Sequence, residues 1–313
     1  MISSVSPIEE IGCDPYVMAQ SRSRKAQMTR SVLVLGATGK SGRRLVPLLR
    51  EQEVKVRAAS RRGIAGMAYF DWDKPETYDA ALAGIDAVYL TPPELVVDPT
   101  GHTGPFLAAA ARAGVGRVVA VTSMGVTFPN EGPGTGRYKL EQQVMASGLE
   151  WTILRPSGFN QNFSEDFFLP GILGADMVAT ATGDGAVGFV DAEDIAAVAV
   201  VALLDEGHTG EIYDVTGPEA MSFADAAAII GQAAGRSIAH RKITGEEFTR
   251  ILVGAGLAPD YAAIVVGNQL AIRDGLGSAI SDTVPRLTGR PAQTFTDYAA
   301  KAAPTWARPI PSA

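Results

Sequence analysis

The sequence has little cysteine, no excess of positive charge and no long apolar run. Cys13 is the one cysteine among 313 residues, which excludes an intramolecular disulfide and favours a reducing cytoplasm. The formal net charge is −7, so nucleic acid, which needs a basic surface, is not expected as a partner. The richest apolar stretch, DIAAVAVVALL, is far shorter than the roughly 20 residues that cross a bilayer, so no membrane segment is expected.

What remains is the composition of a globular protein. Hydrophobic residues make up 46% of the chain and charged residues 19%, and the length suits one or two domains. The first 27 residues lack the apolar core of a secretory signal, and Glu9, Glu10 and Asp14 weaken their basic cluster as a targeting signal. We therefore expect residues 1–29 to be a disordered extension, or to follow from a start codon upstream of Met28.

From Arg30 onward, short apolar runs alternate with helical patterns. The strand-like runs are SVLVLG, VKVRAAS, MAYFDW, DAVYLTPP, VGRVVAVTS and EWTILRP. Strands that alternate with helices at this spacing predict an α/β fold with a doubly wound parallel sheet and right-handed crossovers. We assign this sheet domain to residues 30–158.

After Phe159 the alternation gives way to a less regular pattern. An aromatic-rich segment is followed by a helix that begins near an aspartate cap, and then by a further strand with the sequence EIYDV. Residues 159–313 are predicted to form a smaller, interleaved lobe. The helix near 191–204 is expected to pack back on the main sheet.

A glycine-rich turn connects the first strand to its helix. Glycine there allows a tight turn, close approach of the backbone to a pyrophosphate, and close packing of helix on sheet. Free N–H groups and the positive end of the helix dipole would then hold the phosphates. The residues predicted to bind the cofactor at this turn are Gly36, Thr38, Gly39, Lys40, Ser41 and Gly42.

The end of the second strand bears on which cofactor binds. A site that prefers NAD places an acid there for the ribose hydroxyls, but this chain has Ser60, Arg61 and Arg62. Two guanidinium groups suit a ribose 2′-phosphate by charge and by geometry. The alternative is a pair of solvated arginines at a loop tip. We predict NADPH as the cofactor, with NADH less favoured.

Six segments of the chain resemble a known family. They are VLVLGATGKSGRRLVPLLR, FDWDKPETYDAALAGIDAVYLTPP, EQQVMASGLEWTILRPSGFNQNFSE, GFVDAEDIAAVAVVALL, YDVTGPEAMSFADAAAII and LTGRPAQTFTDYAAKAAPTW. From about Arg30 to Trp306 the chain is similar to the NmrA-like family of atypical short-chain dehydrogenases/reductases. Within it, the chain looks closest to the branch of ergot-alkaloid-type reductases. The resemblance implies a Rossmann domain that binds NAD(P), with a small C-terminal lobe over the nicotinamide.

The resemblance also implies roles for residues that follow the strands. Asp71 would lie near the adenine, and Thr91, Pro92, Thr122 and Ser123 would face the nicotinamide half. Pro156, Ser157 and Phe159 would border the substrate. Counted as cofactor-binding are Ser60, Arg61, Arg62, Asp71, Thr91, Pro92, Thr122 and Pro156, and counted as substrate-binding are Met124, Phe159, Asn160 and Phe163.

Ordinary short-chain reductases use a Tyr with a Lys four residues later, so that both lie on one helix face. Here Lys139 directly follows Tyr138, and neighbours on a helix diverge by about 100°. The usual positions align with Arg137 and Glu141, which predicts an ion pair between them in place of the dyad. Ser123, Tyr138 and Lys139 remain the candidate catalytic residues.

We predict a cytoplasmic NADPH-dependent reductase that acts on a C=N, C=C or quinone-like bond of a small apolar metabolite. The substrate would lie between the nicotinamide, residues 122–124, the helix of Tyr138 and an aromatic wall at 159–168. In the alternative interpretation of that segment, Phe163, Phe167 and Phe168 form the core of the small lobe. Two other functions stay open: a cofactor sensor without turnover, and a non-redox isomerase or cyclase.

The predicted partner is a small-molecule substrate, with no nucleic acid and no membrane, and a homo-oligomer is left open. The three histidines, His102, His208 and His240, show neither metal-ligand spacing nor a nucleophile–His–acid pattern, so no metal site is predicted.

Overall fold

The main sheet of the computed structural model, which describes residues 30–307, has seven parallel strands. In sheet order they are β3 (Ala68–Tyr69), β2 (Lys55–Ser60), β1 (Ser31–Val34), β4 (Ala87–Leu90), β5 (Arg117–Val121), β6 (Glu150–Pro156) and β9 (Glu211–Val215). The strand order reverses between β1 and β4, which is the switch point of a doubly wound sheet. The predicted fold class is confirmed, and the predicted extension at 1–29 lies outside the described residues.

Helices cover both faces of this sheet. The helices are α1 (Gly42–Glu51), α2 (Tyr78–Leu82), α3 (Thr100–Arg112), α4 (Gly136–Met145), α5 (Leu169–Ala175), α6 (Ala192–Leu204), α7 (Phe223–Ala234), α8 (Gly245–Gly254), α9 (Pro259–Arg273), α10 (Thr283–Thr288) and α11 (Phe295–Trp306). On one face α1 and α6 share a core with β1, β4 and β9. On the other face α2, α3 and α4 pack over the same strands. None of the helices within residues 30–307 is long and apolar enough to cross a membrane.

The small lobe has its own core. Two short strand pairs, β7 (Met177–Thr180) with β11 (Ala239–Lys242) and β8 (Ala186–Val187) with β10 (Met221–Ser222), lie among the later helices. Its buried aromatic cluster is formed by Phe163, Phe168, Phe189, Phe223, Phe295, Tyr298 and Trp306. Between segments of this lobe, α6 returns to the core of the main sheet.

Candidate functional site

The turn after β1 needs glycine at two places for different reasons. Gly36 has φ of 61°, and a Cβ there would lie 2.5 Å from Thr91 Oγ1 at the end of β4. At Gly42 a Cβ would lie 2.2 Å from the carbonyl oxygen of Gly36, so the first turn of α1 is pressed against the loop. Gly39 donates its N–H to the same carbonyl at 2.8 Å. The turn therefore has the compact shape that a pyrophosphate loop requires.

The same turn exposes unused hydrogen-bond donors. The backbone N–H groups of Thr38, Lys40 and Ser41 have no acceptor within residues 30–307. Three free donors at the start of α1, where the helix dipole is positive, suit an anionic group. These residues fit the phosphates of a dinucleotide, and that dinucleotide would supply a nicotinamide for hydride chemistry.

Other predicted cofactor residues around the turn have protein partners. Ser41 is buried and its Oγ accepts a hydrogen bond of 2.8 Å from Tyr89. This hydrogen bond connects the loop to β4. Burial raises the pKa of Tyr89, which keeps this phenol a donor. The Asp71 carboxylate accepts the N–H of Asp73 within its own turn. Thr38 and Pro92 are half-buried.

The end of β2 presents two guanidinium groups beside this turn. Ala59, the residue before Ser60, accepts a hydrogen bond from the N–H of Ala37 in the glycine-rich turn. The Ser60 hydroxyl accepts the N–H of Arg62, which fixes the bend after the strand. Arg61 and Arg62 are exposed, and neither forms an ion pair within the described part of the chain. Two unpaired cations next to an anion-binding turn are suited to a further phosphate.

A cleft of about 600 Å³ lies between the carboxyl ends of the strands and the small lobe. Seven residues predicted for the site line it: Lys40, Thr122, Ser123, Met124, Pro156, Ser157 and Phe159. The walls are largely apolar, with Phe128 from the sheet domain and, from the small lobe, Phe167, Phe168, Phe189, Phe223, Leu257, Tyr261, Val265 and Ile272. Apolar walls with few polar groups are typical of a site for a small organic ligand.

Thr122 is held at the floor of this cleft by a buried carboxylate. Its hydroxyl donates to Glu141 Oε1 at 2.7 Å, and Arg155 binds both oxygens of Glu141, at 2.9 Å from Nε and 2.6 Å from Nη2. Glu141 is 1% exposed, and its hydrogen bond is the main cause of the raised pKa of Arg155. Because its proton is committed to Glu141, Thr122 can only accept from a ligand.

Arg137 faces the cleft, but its partner differs from the prediction. Arg137 Nη1 lies 2.8 Å from Glu131 Oε1, and Asn268 Nδ2 donates to the same oxygen at 2.5 Å. The predicted Arg137–Glu141 ion pair is therefore wrong. Glu141 pairs instead with Arg155 of β6, and Arg137 pairs with Glu131, a buried acid next to the cleft-lining Gly125.

Ser123 presents a free proton to the cleft. Its Oγ accepts the N–H of Gly125 at 3.0 Å and donates to no acceptor among residues 30–307. A Cβ built on Gly125 would lie 2.9 Å from Glu131 Oε1, 3.1 Å from Asn268 Nδ2 and 3.2 Å from Ser123 Oγ. The serine and the carboxylate that holds Arg137 therefore meet around one point of the cleft floor.

The structure does not bring Lys139 or Tyr138 to the cleft. Lys139 Nζ pairs with Asp98 at 2.8 Å on the exposed side of α4, and this hydrogen bond lowers the pKa of Asp98 to about 2. Tyr138 is half-buried and is not among the residues that line the cleft. Since Arg137 takes the cleft-facing position, its neighbours along the helix point elsewhere.

Two residues predicted to contact the substrate are instead buried in the protein. Phe163 is fully buried and stacks on Phe168 in the core of the small lobe, with ring centroids 4.9 Å apart. The core interpretation thus holds for Phe163, while Phe167 and Phe168 also line the cleft. Asn160 is fully buried, and neither of its amide atoms has a partner within the described residues.

No local sequence pattern pointed to Glu131 or Asn268. Glu131 ends a short 3₁₀ turn, and Asn268 comes from α9, far along the chain. No spacing rule connects them to Arg137. Within residues 30–307, no group of three or more His, Cys, Asp or Glu side chains is arranged to hold a metal ion.

Comparison with known proteins agrees with a dinucleotide site at the glycine-rich turn. A family model described as NAD(P)H-binding matches residues 36–206. The chain is 36% identical to an NAD(P)H azoreductase of Xenophilus azovorans over 291 residues, covering 86% of this chain and 96% of the relative. It is 32% identical to a festuclavine dehydrogenase of Aspergillus fumigatus over 295 residues, covering 89% and 99%.

Among solved structures, an NADPH-dependent quinone oxidoreductase of Escherichia coli, crystallised with NADPH, has the same fold. Its TM-score is 0.68 at 21% identity, and the match covers 86% of this chain and 99% of that one. The chain therefore belongs to the NAD(P)H-binding family and is an oxidoreductase related to the festuclavine dehydrogenases of the ergot-alkaloid branch.

Proposed function

We propose that this protein is an NADPH-dependent reductase that delivers hydride to a C=N, C=C or quinone-like bond of a small, largely apolar molecule. The observation that carries the proposal is the position of the cleft. It opens at the carboxyl ends of the strands, between the free N–H groups after β1 and the aromatic side chains of the small lobe. A dinucleotide that binds along this edge would place its nicotinamide beside Thr122 and Ser123.

Preference for NADPH is supported by Arg61 and Arg62, which are exposed and unpaired within the described residues at the end of β2. A 2′-phosphate would gain charge-assisted hydrogen bonds there, and a ribose hydroxyl would not. Replacing both arginines by glutamine should weaken NADPH binding at least about tenfold and change NADH binding by less than about twofold. Calorimetric titration of both cofactors measures this, with Arg112→Gln, at an exposed helix end, as a control.

Turnover separates a reductase from a protein that only binds the cofactor. NADPH oxidation would be followed with a panel of cyclic imines, enones and quinones, and the reduced product identified by mass spectrometry. Steady oxidation with at least one class supports the proposal. Tight NADPH binding with no oxidation across the panel would contradict it.

A further inference from the structure

Arg137 is the one guanidinium that lines the cleft in the described part of the chain. Its side chain is 26% exposed, and its carboxylate partner Glu131 is 1% exposed. Glu131 is in turn bound by Asn268, whose Oδ1 accepts a hydrogen bond of 2.9 Å from Asn130. Arg137 is therefore held in place by Glu131, a buried and hydrogen-bonded acid.

This arrangement leaves most of the guanidinium free. Arginine has five N–H donors, and the Arg137 hydrogen bond within residues 30–307 goes from Nη1 to Glu131. The remaining donors can point into a space walled by aromatic side chains. Charge-assisted hydrogen bonds are stronger in such surroundings than in water.

Ser123 adds a neutral donor on the same floor. Its hydroxyl has no acceptor among the described residues. A Cβ built on Gly125 would contact both the Ser123 Oγ and the Glu131 carboxylate. Thr122, by contrast, has donated its proton to Glu141. Arg137 and Ser123 are thus two donors that a substrate oxygen can meet on this floor.

We infer that Arg137 and Ser123 form an oxyanion site, and that the substrate is a conjugated carbonyl compound, an enone or a quinone, rather than an iminium ion. The inference rests on the proposed reductase function. A bound nicotinamide would supply hydride to the electrophilic carbon of the substrate, and Arg137 and Ser123 would bind the enolate or phenolate oxygen that receives the π electrons. Water then supplies the proton that completes the reduced product.

The two substrate classes differ in how their charge changes when hydride adds. Negative charge grows on oxygen when hydride adds to a conjugated carbonyl, so a cation beside that oxygen lowers the barrier. An iminium ion loses its positive charge in the same step. A guanidinium, which only donates hydrogen bonds, offers such a substrate no favourable contact in the ground state or in the transition state.

A binding experiment tests the site without turnover. The probe is 2-hydroxy-1,4-naphthoquinone, whose hydroxyl is ionised at neutral pH, compared with neutral 1,4-naphthoquinone, both titrated by fluorescence quenching. Arg137→Gln should weaken binding of the anion by about tenfold to a hundredfold and of the neutral quinone far less. Arg112→Gln removes the same charge from the exposed end of α3 outside the cleft, and it should bind both probes as the wild type does.

A kinetic experiment tests the substrate class. Arg137→Gln should lower kcat/KM for 1,4-naphthoquinone by at least about tenfold, with Arg137→Lys intermediate, and leave that for an N-methyl-dihydroisoquinolinium ion unchanged or higher. The Glu131→Gln/Arg137→Gln double variant removes both charges, so it gives the same readout if the single variant folds poorly. Unchanged binding of the anion together with a preference for the iminium ion would overturn the inference. Failure of the wild type to oxidise NADPH with any acceptor would count instead against the proposed function.

Discussion

Lys40 Nζ lies 2.8 Å from Asp166 Oδ2 and so joins the glycine-rich turn to the aromatic segment at 159–168. A second link runs from Arg44 Nη2 to Glu165 Oε1 at 2.7 Å, and Arg43 pairs with the same carboxylate. Lys40 thus holds a carboxylate next to the turn proposed to bind phosphates. A pyrophosphate would compete with Asp166 for this ammonium group.

The first prediction concerns this competition. Asp166→Asn should tighten NADPH binding by about twofold to fivefold, because an exposed ion pair of this kind is worth roughly 0–1 kcal/mol and no longer has to be broken. Calorimetric titration gives the dissociation constant. Asp184→Asn, which breaks the exposed pair with Lys242 in the small lobe, serves as the matched control. Unchanged or weaker binding by the Asp166 variant would show that the two anions do not compete.

The second prediction tests the close contact at Gly42. Alanine there would place a Cβ 2.2 Å from the carbonyl oxygen of Gly36, so the loop and α1 must separate. Gly42→Ala should weaken NADPH binding by at least about tenfold, since a shift of the loop misplaces several phosphate donors at once. Circular dichroism checks that the variant is folded. Gly174→Ala, where the added methyl meets open space in α5, should bind normally, and normal binding by both variants would refute the argument.

The sequence allowed the sheet and the glycine-rich turn to be predicted because both depend on local patterns. Apolar runs specify buried strands, and the positive φ of Gly36 and the contact of Gly42 with the Gly36 carbonyl are demands that act within a few residues. The partner of Arg137 was not predictable in this way. Helical spacing favoured Glu141, but Arg155, which comes from β6, binds that buried carboxylate. Tertiary contacts override a helical pair that is worth only a few tenths of a kcal/mol.

Phe163 is a second residue whose environment no local sequence pattern determines. An aromatic-rich segment can line a cleft or fill a core, and its composition is equal in both cases. The packing of α7 and α11 against the segment decides that Phe163 is core while Phe167 reaches the cleft. That packing involves residues far along the chain, which no local pattern contains.

The third prediction concerns the carboxylate beneath Thr122. Glu141→Ala should lower the free energy of unfolding by about 3 kcal/mol or more, because Arg155 would remain as a largely buried charge without its partner. Chemical denaturation monitored by circular dichroism measures this loss. Glu150→Ala removes a half-exposed acid from Arg117, which keeps carbonyl acceptors, and should cost less than about 1 kcal/mol. Equal losses in the two variants would mean that the burial of the acid does not set the size of the loss.

The fourth prediction concerns acid sensitivity in the small lobe. Burial lowers the pKa of His240, with a further contribution from the nearby Lys242 that Asp184 partly offsets. Its Nε2 lies 2.8 Å from Thr180 Oγ1, and its ring stacks on Phe223. The unfolded chain therefore takes up a proton at His240 more readily than the folded protein. Stability contributed by the neutral imidazole is present above the ordinary histidine pKa of about 6.5 and is lost as the pH falls through the lower folded value.

Replacing His240 by glutamine should remove this part of the pH dependence while keeping an amide that can bond to Thr180. The fall in Tm between about pH 7.5 and about pH 5.5, on either side of the ordinary histidine pKa, should be smaller in His240→Gln than in the wild type. His102→Gln, which removes a histidine paired with exposed Asp73, controls for the loss of one imidazole. The same fall in Tm for His240→Gln and wild type would place the acid sensitivity elsewhere, because a group that no longer titrates cannot contribute to it.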